Sequence, residues 1–171
     1  TERVSNIQKA SVRIQKIVNG LKKFSRSSKD GNYCNCSLSS IINECIIFTQ
    51  YKQNQNDILI EFKSKIDAFI YCDEVEMEQV LINLIDNAIY AIKGNIEKWI
   101  KIEILEETNF VEMRVIDSGK GIPLEIQSKL FNPFFTTKPI NEGTGLGLSI
   151  IKGILDEHQA TIVVDSNFPN T

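Results

Sequence analysis

Histidine occurs once in the 171 residues, as does tryptophan, and methionine only twice. A single histidine excludes a His-based metal cage or a catalytic His pair built from one copy of the chain. Four prolines and nine glycines fall far below collagen-like or mucin-like usage, and 42% hydrophobic with 24% charged residues excludes a disordered composition. No apolar run approaches the ~20 residues of a membrane span. The opening TERVSNIQKA also lacks the apolar core of a signal peptide. The segment is therefore expected to be cytoplasmic, with no membrane contact of its own. An excess of one charge is missing too. Lys and Arg number 19 against 22 Asp and Glu, a net charge of -3, so nucleic acid is not an expected partner. Any polyanion bound must be small and held locally. Cys34, Cys36, Cys45 and Cys72 are irregularly spaced, and CNC is tighter than the usual zinc-ribbon or redox spacing. They read as reduced, mostly half-buried thiols.

What is present suffices for one full domain and a small appendage. Ile7, Ala10, Ile14, Ile17, Leu21 and Phe24 alternate spacings of three and four, the pattern of a helical seam. A helix over residues 1–28 carries nothing to bury that seam against and needs a second helix or a second subunit. A polar hinge follows, taken as residues 29–35, and a body from 36 to 171. Ser37 is the expected N-cap of a helix carrying Leu38, Ile41, Ile42, Cys45 and Ile46. Ile58, Ile60 and Phe62 alternate like a strand, and 68–71 form another. A strongly amphipathic helix runs from about Glu74 to Ile92. Strands around Ile100–Ile104 and Val111–Val115 pair across a turn at 106–109. The Gly-, Pro- and Thr-rich stretch from Ser118 to Gly147 is long for a loop in a compact domain, and such loops are usually functional. A helix over 148–157 and a strand over Thr161–Asp165 close the chain.

Four clusters carry chemistry. NLIDNA sets Asn83 and Asn87 one helical turn apart, opposite the apolar stripe. They form either a solvated polar face or a pair of amide oxygens suited to Mg²⁺, which prefers oxygen ligands and keeps water and phosphates around it. In DSGKGIP, Asp117 leaves a strand end followed by Gly119 and Gly121. It forms either a plain turn or an acceptor for an exocyclic amine such as that of adenine, with glycines permitting close approach. LFNPFFTTK places Phe131, Phe134 and Phe135 in a loop-like stretch, as a docking lid or as a loop pinned to the core. GTGLGLS opens a helix with Gly143, Gly145 and Gly147, presenting backbone N–H groups to phosphate. It lacks the GK[ST] of a Walker loop and the βαβ context of a Rossmann fingerprint.

In this order the four segments resemble the N, G1, F and G2 boxes of the catalytic ATP-binding domain of sensor histidine kinases. The resemblance spans about Cys36 to Asp165. It implies an α+β fold: a two-layer α/β sandwich of Bergerat type, with a mixed sheet covered by helices and a long helix before it. It also implies ATP and Mg²⁺ as cofactors. Asn87 would be the principal Mg²⁺ ligand and Asn83 a supporting contact. Asp117 would recognise the adenine amine, with Gly119, Gly121 and Ile122 shaping the pocket. Thr137 and Lys138 would be phosphate contacts, and Gly143, Thr144, Gly145, Leu146 and Gly147 the phosphate-side edge of the lid.

Residues 1–28 resemble the second helix of the dimerisation hairpin, which implies a homodimer and a response-regulator receiver domain as partner. The phosphoacceptor histidine of the family belongs to the first hairpin helix, so no catalytic residue is expected within the chain. His158, in DEHQA, reads as a helix-end residue. The family's strand after Thr161–Asp165 is expected to be missing. Chaperone-type and mismatch-repair ATPases of the superfamily carry a Glu where Asn83 stands. An Asn cannot act as a general base, so hydrolysis should be slow. A non-catalytic nucleotide sensor is the remaining alternative.

Overall fold

The structure, a computed structural model, describes residues 31–139 and 142–165. The helix expected over residues 1–28 lies outside them. The described residues fall into two compact units, 31–123 with 163–165, and 124–162.

The first unit runs β1 (Tyr33–Ser37), α1 (Leu38–Asn56), β2 (Leu59–Ser64), β3 (Phe69–Asp73), α2 (Glu74–Ala91), β4 (Trp99–Glu106) and β5 (Val111–Asp117). The α+β class and mixed pairing match expectation, with the strands divided between two sheets. β1 and β3 pair antiparallel, from Tyr33↔Asp73 to Ser37↔Phe69. In the other sheet, ordered β2-β4-β5, β2 runs parallel to β4 from Leu59↔Trp99, and β4 antiparallel to β5 from Ile100↔Asp117. Residues 33–35, expected in the hinge, instead begin β1, where they pair with β3.

Each helix starts where a strand ends, because the last strand residue is a cap. Ser37 Oγ accepts a hydrogen bond from Ser40 N at 3.2 Å, and Asp73 Oδ1 one from Glu76 N at 3.2 Å. Glu74 and Glu76 in the first turn of α2 also suit the positive end of its dipole. α1 stops at Asp57, a left-handed residue with φ 53°. Met77, Val80, Leu81, Ile85 and Ala88 form the buried stripe of α2, spaced as its periodicity predicts. That helix packs against α1, β4 and β5. Ile58, Ala88, Ile92 and Ile100 form a core cluster, with Ile60, Ile89 and Val115 packed on it. A fully buried isoleucine such as Ile92 or Ile100 contributes ~1.5–3 kcal/mol.

The second unit holds the short α3 (Leu124–Gln127), a series of turns, and α4 (Gly147–Glu157). Ser149, Ile151, Ile154 and Leu155 of α4 are buried. His158 is its C-cap, with Nδ1 2.8 Å from the Ile154 carbonyl oxygen, the helix-end position expected of it. The strand expected over Thr161–Asp165 does not form among the described residues, and Val163 is 82% exposed. Alternation fixes which way side chains point, but a ladder also needs a partner edge. Among the described residues none pairs with this segment. Nor is any helix among them long and apolar enough to cross a membrane.

Candidate functional site

Within the first unit, α2 holds Asn83 and Asn87 on neighbouring turns, and both are half-buried rather than fully solvated. Asn83 also lines a groove of about 500 Å³ between α1 and α2, with Phe48 and Glu44 on one wall and Val75 and Ile82 on the other. Asp117 ends β5. Its Oδ1 accepts a hydrogen bond from Gly119 N at 2.8 Å. A Cβ added to buried Gly119 would stand 2.5 Å from that oxygen and 3.3 Å from the Cβ of Ala91, the last residue of α2. Ala91 is one turn beyond Asn87 on the same helix face. The strand end that carries Asp117 and the helix that carries Asn87 therefore meet at Gly119, where an added Cβ would displace the Asp117 carboxylate and crowd Ala91. Burial pushes the Asp117 carboxyl above its ordinary range, while the Gly119 N–H pulls it back. A half-buried carboxylate holding one backbone donor retains acceptor capacity for another.

Two residues that sequence reasoning missed hold this turn. Ser118 N donates to the Trp99 carbonyl at 3.1 Å, Ser118 Oγ donates to that of Glu97 at 2.9 Å, and the same Oγ accepts from Trp99 N at 3.2 Å. Asn95 Nδ2 donates to the Ser118 carbonyl at 2.7 Å. Their signal was their type, since Ser and Asn readily bond nearby backbone. Gly121 follows with φ +75°, and Ile122 is 38% exposed.

Within the second unit, Thr136 Oγ1 accepts from Lys138 N at 3.1 Å. Thr137 is exposed and Lys138 half-buried. A Cβ on Gly143 would come 2.7 Å from Thr136 Oγ1 and 2.9 Å from Lys138 Cβ, so the glycine-rich segment lies directly on TTK. Gly145 has φ +69° and its face is closed by the Phe134 backbone, whose carbonyl oxygen would be 2.6 Å from an added Cβ. Thr144 Oγ1 accepts from Leu146 N at 3.4 Å. Leu146 is the N-cap of α4 and supplies no side-chain bond, so the first N–H groups, from Gly147 on, are not capped by that residue. An uncapped helix start suits an anion.

Solved structures match this architecture, and they define it as that of a histidine kinase catalytic domain. The catalytic domain of histidine kinase ThkA matches at a TM-score of 0.67 and 36% identity, over 74% of this chain and 82% of that one. ThkA in complex with the response regulator protein TrrA matches at 0.73 and 28%, over 94% of this chain and 46% of that one. The chain belongs to the histidine kinase-, DNA gyrase B-, and HSP90-like ATPase family, whose pattern matches residues 72–170. The signal transduction histidine-protein kinase AtoS of Escherichia coli (strain K12) is 32% identical over 168 residues, 96% of this chain and 27% of that protein. The chain spans about a quarter of the length of the curated sensor kinases it matches.

Proposed function

We propose that this chain is the ATP-binding part of a two-component sensor kinase, and that it delivers the γ-phosphoryl group of Mg-ATP to a histidine outside residues 1–171. The observation carrying this reading is the meeting of α2 and β5 at Gly119, with Asn87 one turn from Ala91 and Asp117 hydrogen-bonded to the Gly119 backbone. Asp117 accepts the adenine amine, and Gly119, Gly121 and Ile122 line its approach. Thr137, Lys138 and the segment Gly143, Thr144, Gly145, Leu146 and Gly147 receive phosphate oxygens through N–H groups and one ammonium.

The donor set on α2 fits Mg²⁺, because neutral amide oxygens leave the remaining positions to water and phosphate. Asn87 is the principal ligand in this reading, and Asn83 supports it. The ion would neutralise charge on the phosphate oxygens. The protein's own part is to orient the nucleotide and leave the γ-phosphorus open to a nucleophile. Asn83 cannot take a proton from water, which favours transfer over hydrolysis.

His158 is not the acceptor in this reading, since it is bonded into the end of α4. Residues 1–28 act as the second helix of a dimerisation hairpin, 29–32 as the hinge, and the catalytic domain begins with β1 at Tyr33. The homodimer forms through that helix, and the phosphoryl group passes on to a response-regulator receiver domain. Calorimetry should show Mg-ATP binding. Supplying a separate hairpin that carries a histidine should yield acid-labile phosphohistidine. Absence of nucleotide binding, or rapid steady-state ATP turnover by the chain alone, would overturn the reading.

A further inference from the structure

Outside that site, three thiols share one face of the β1–β3 pair. Side chains two apart on a strand point the same way, and residues directly opposite on neighbouring strands share a face. This places Cys34 and Cys36 beside each other, with Cys72 across from Cys34. The Cys34 and Cys36 sulfurs are 3.2 Å apart and not bonded. Cys34 is exposed, whereas Cys36 is 5% and Cys72 1% exposed. Cys36 Sγ also lies 3.8 Å from the Cys72 carbonyl oxygen. We propose that Cys34 and Cys36 form a reversible dithiol–disulfide pair, in which Cys34 meets the oxidant and Cys36 resolves it.

With hydrogen peroxide as the oxidant, Cys34 Sγ in its thiolate form attacks one peroxide oxygen. The O–O bond breaks, and the departing hydroxide takes a proton to become water. Cys36 Sγ then attacks the sulfenic sulfur of Cys34. The S–O bond breaks, and the hydroxyl leaves as water with the Cys36 proton. Two thiols and one peroxide become one disulfide and two waters, with two electrons passing from sulfur to oxygen.

Strand geometry makes the product a labile one. Two steps of 3.2–3.4 Å set the α-carbons about 6.6 Å apart, at the long end of the range that disulfides bridge, so the bond forms strained and reduces readily. The contact with Cys36 raises the Cys34 thiol above its ordinary value, and burial does the same to Cys36, so the reacting thiolate is a minor fraction at neutral pH and oxidation should quicken as pH rises. Ser37, next to Cys36, caps α1, and Asp73, next to Cys72, caps α2.

The test treats the native 171-residue chain with hydrogen peroxide, alkylates the remaining thiols and weighs the product. The expected product is 2 Da lighter before alkylation, has lost two alkylatable thiols and recovers both with dithiothreitol. Cys45 is buried on α1 and serves as the control, so Cys45→Ala should keep the product. Cys34→Ser changes an exposed position, should keep the circular-dichroism spectrum, and should abolish the product. A bridge that survives Cys34→Ser, a bridge mapped to Cys72, or overoxidation of Cys34 without a bridge overturns the proposal.

Discussion

Asp117 lends itself to a substitution whose effects on stability and on binding should have opposite signs. Asp117→Asn keeps the shape of the side chain and an oxygen for the Gly119 N–H, but removes the charge. Burial raises the folded-state carboxyl above its unfolded value. Its favourable contribution is therefore fully present below the unfolded value and is lost as pH rises through the folded one. At pH 7 the ionised carboxylate is held at a cost that asparagine does not carry. The melting temperature of Asp117→Asn should thus equal or exceed that of the parent, on a scale of ~2–4 °C per kcal/mol for a chain of this size. The difference should shrink as pH is lowered through the folded-state value.

Binding should move the other way. A charged acceptor facing the exocyclic amine is worth ~1.5–3 kcal/mol, so Mg-ATP should bind ~10- to 150-fold more weakly. Asp117→Ala separates the two effects. It removes the side-chain acceptor of the buried Gly119 N–H and should destabilise by ~1–3 kcal/mol. Thermal unfolding across pH and calorimetry with Mg-ATP measure both. Equal nucleotide affinity in Asp117→Asn, or a melting temperature lowered as far as in Asp117→Ala, would refute the reasoning.

Three further substitutions test the scaffold. Ser37→Ala removes the cap of α1 and should cost ~0.5–2 kcal/mol in denaturant unfolding. Ile85→Ala empties a site of 0% exposure in α2 and should cost ~2–5 kcal/mol, lowering the urea midpoint without changing its slope. Gly145→Ala places a Cβ against the Phe134 backbone at φ +69°, where the left-handed backbone alone costs ~1–2 kcal/mol. Limited proteolysis should then cut residues 124–162 faster than in the parent.

Much of this fold is legible in the residue order, because its strongest elements are periodic. α2 carries its buried stripe at the expected positions, and Ile100, Ile102 and Ile104 are buried as their alternation implies. Ser37 acts as the cap its type and place suggest. β1 was not legible, since YCNCS alternates no bulky apolar residues and only pairing with β3 makes it a strand. Thr161–Asp165 shows the reverse, a strand pattern with no ladder among the described residues. Of the site, residue types and order could be read, whereas the approach of Gly119 to Ala91 is a distance between segments far apart in sequence. The hydrogen bonds of Ser118 and Asn95 were hidden for the same reason.

The pairing of β2 with β4 and of β1 with β3 has a consequence for how the chain acquires its shape. Leu59 waits for Trp99 and Tyr33 for Asp73, while β4 and β5 meet across a short turn. The β4–β5 hairpin and α2 are local and can form within microseconds, but both other pairings must close long loops first. Folding should therefore be limited by these closures, in milliseconds to seconds. On the ribosome, β1 and β2 emerge well before their partners and remain open edges until β3 and β4 arrive.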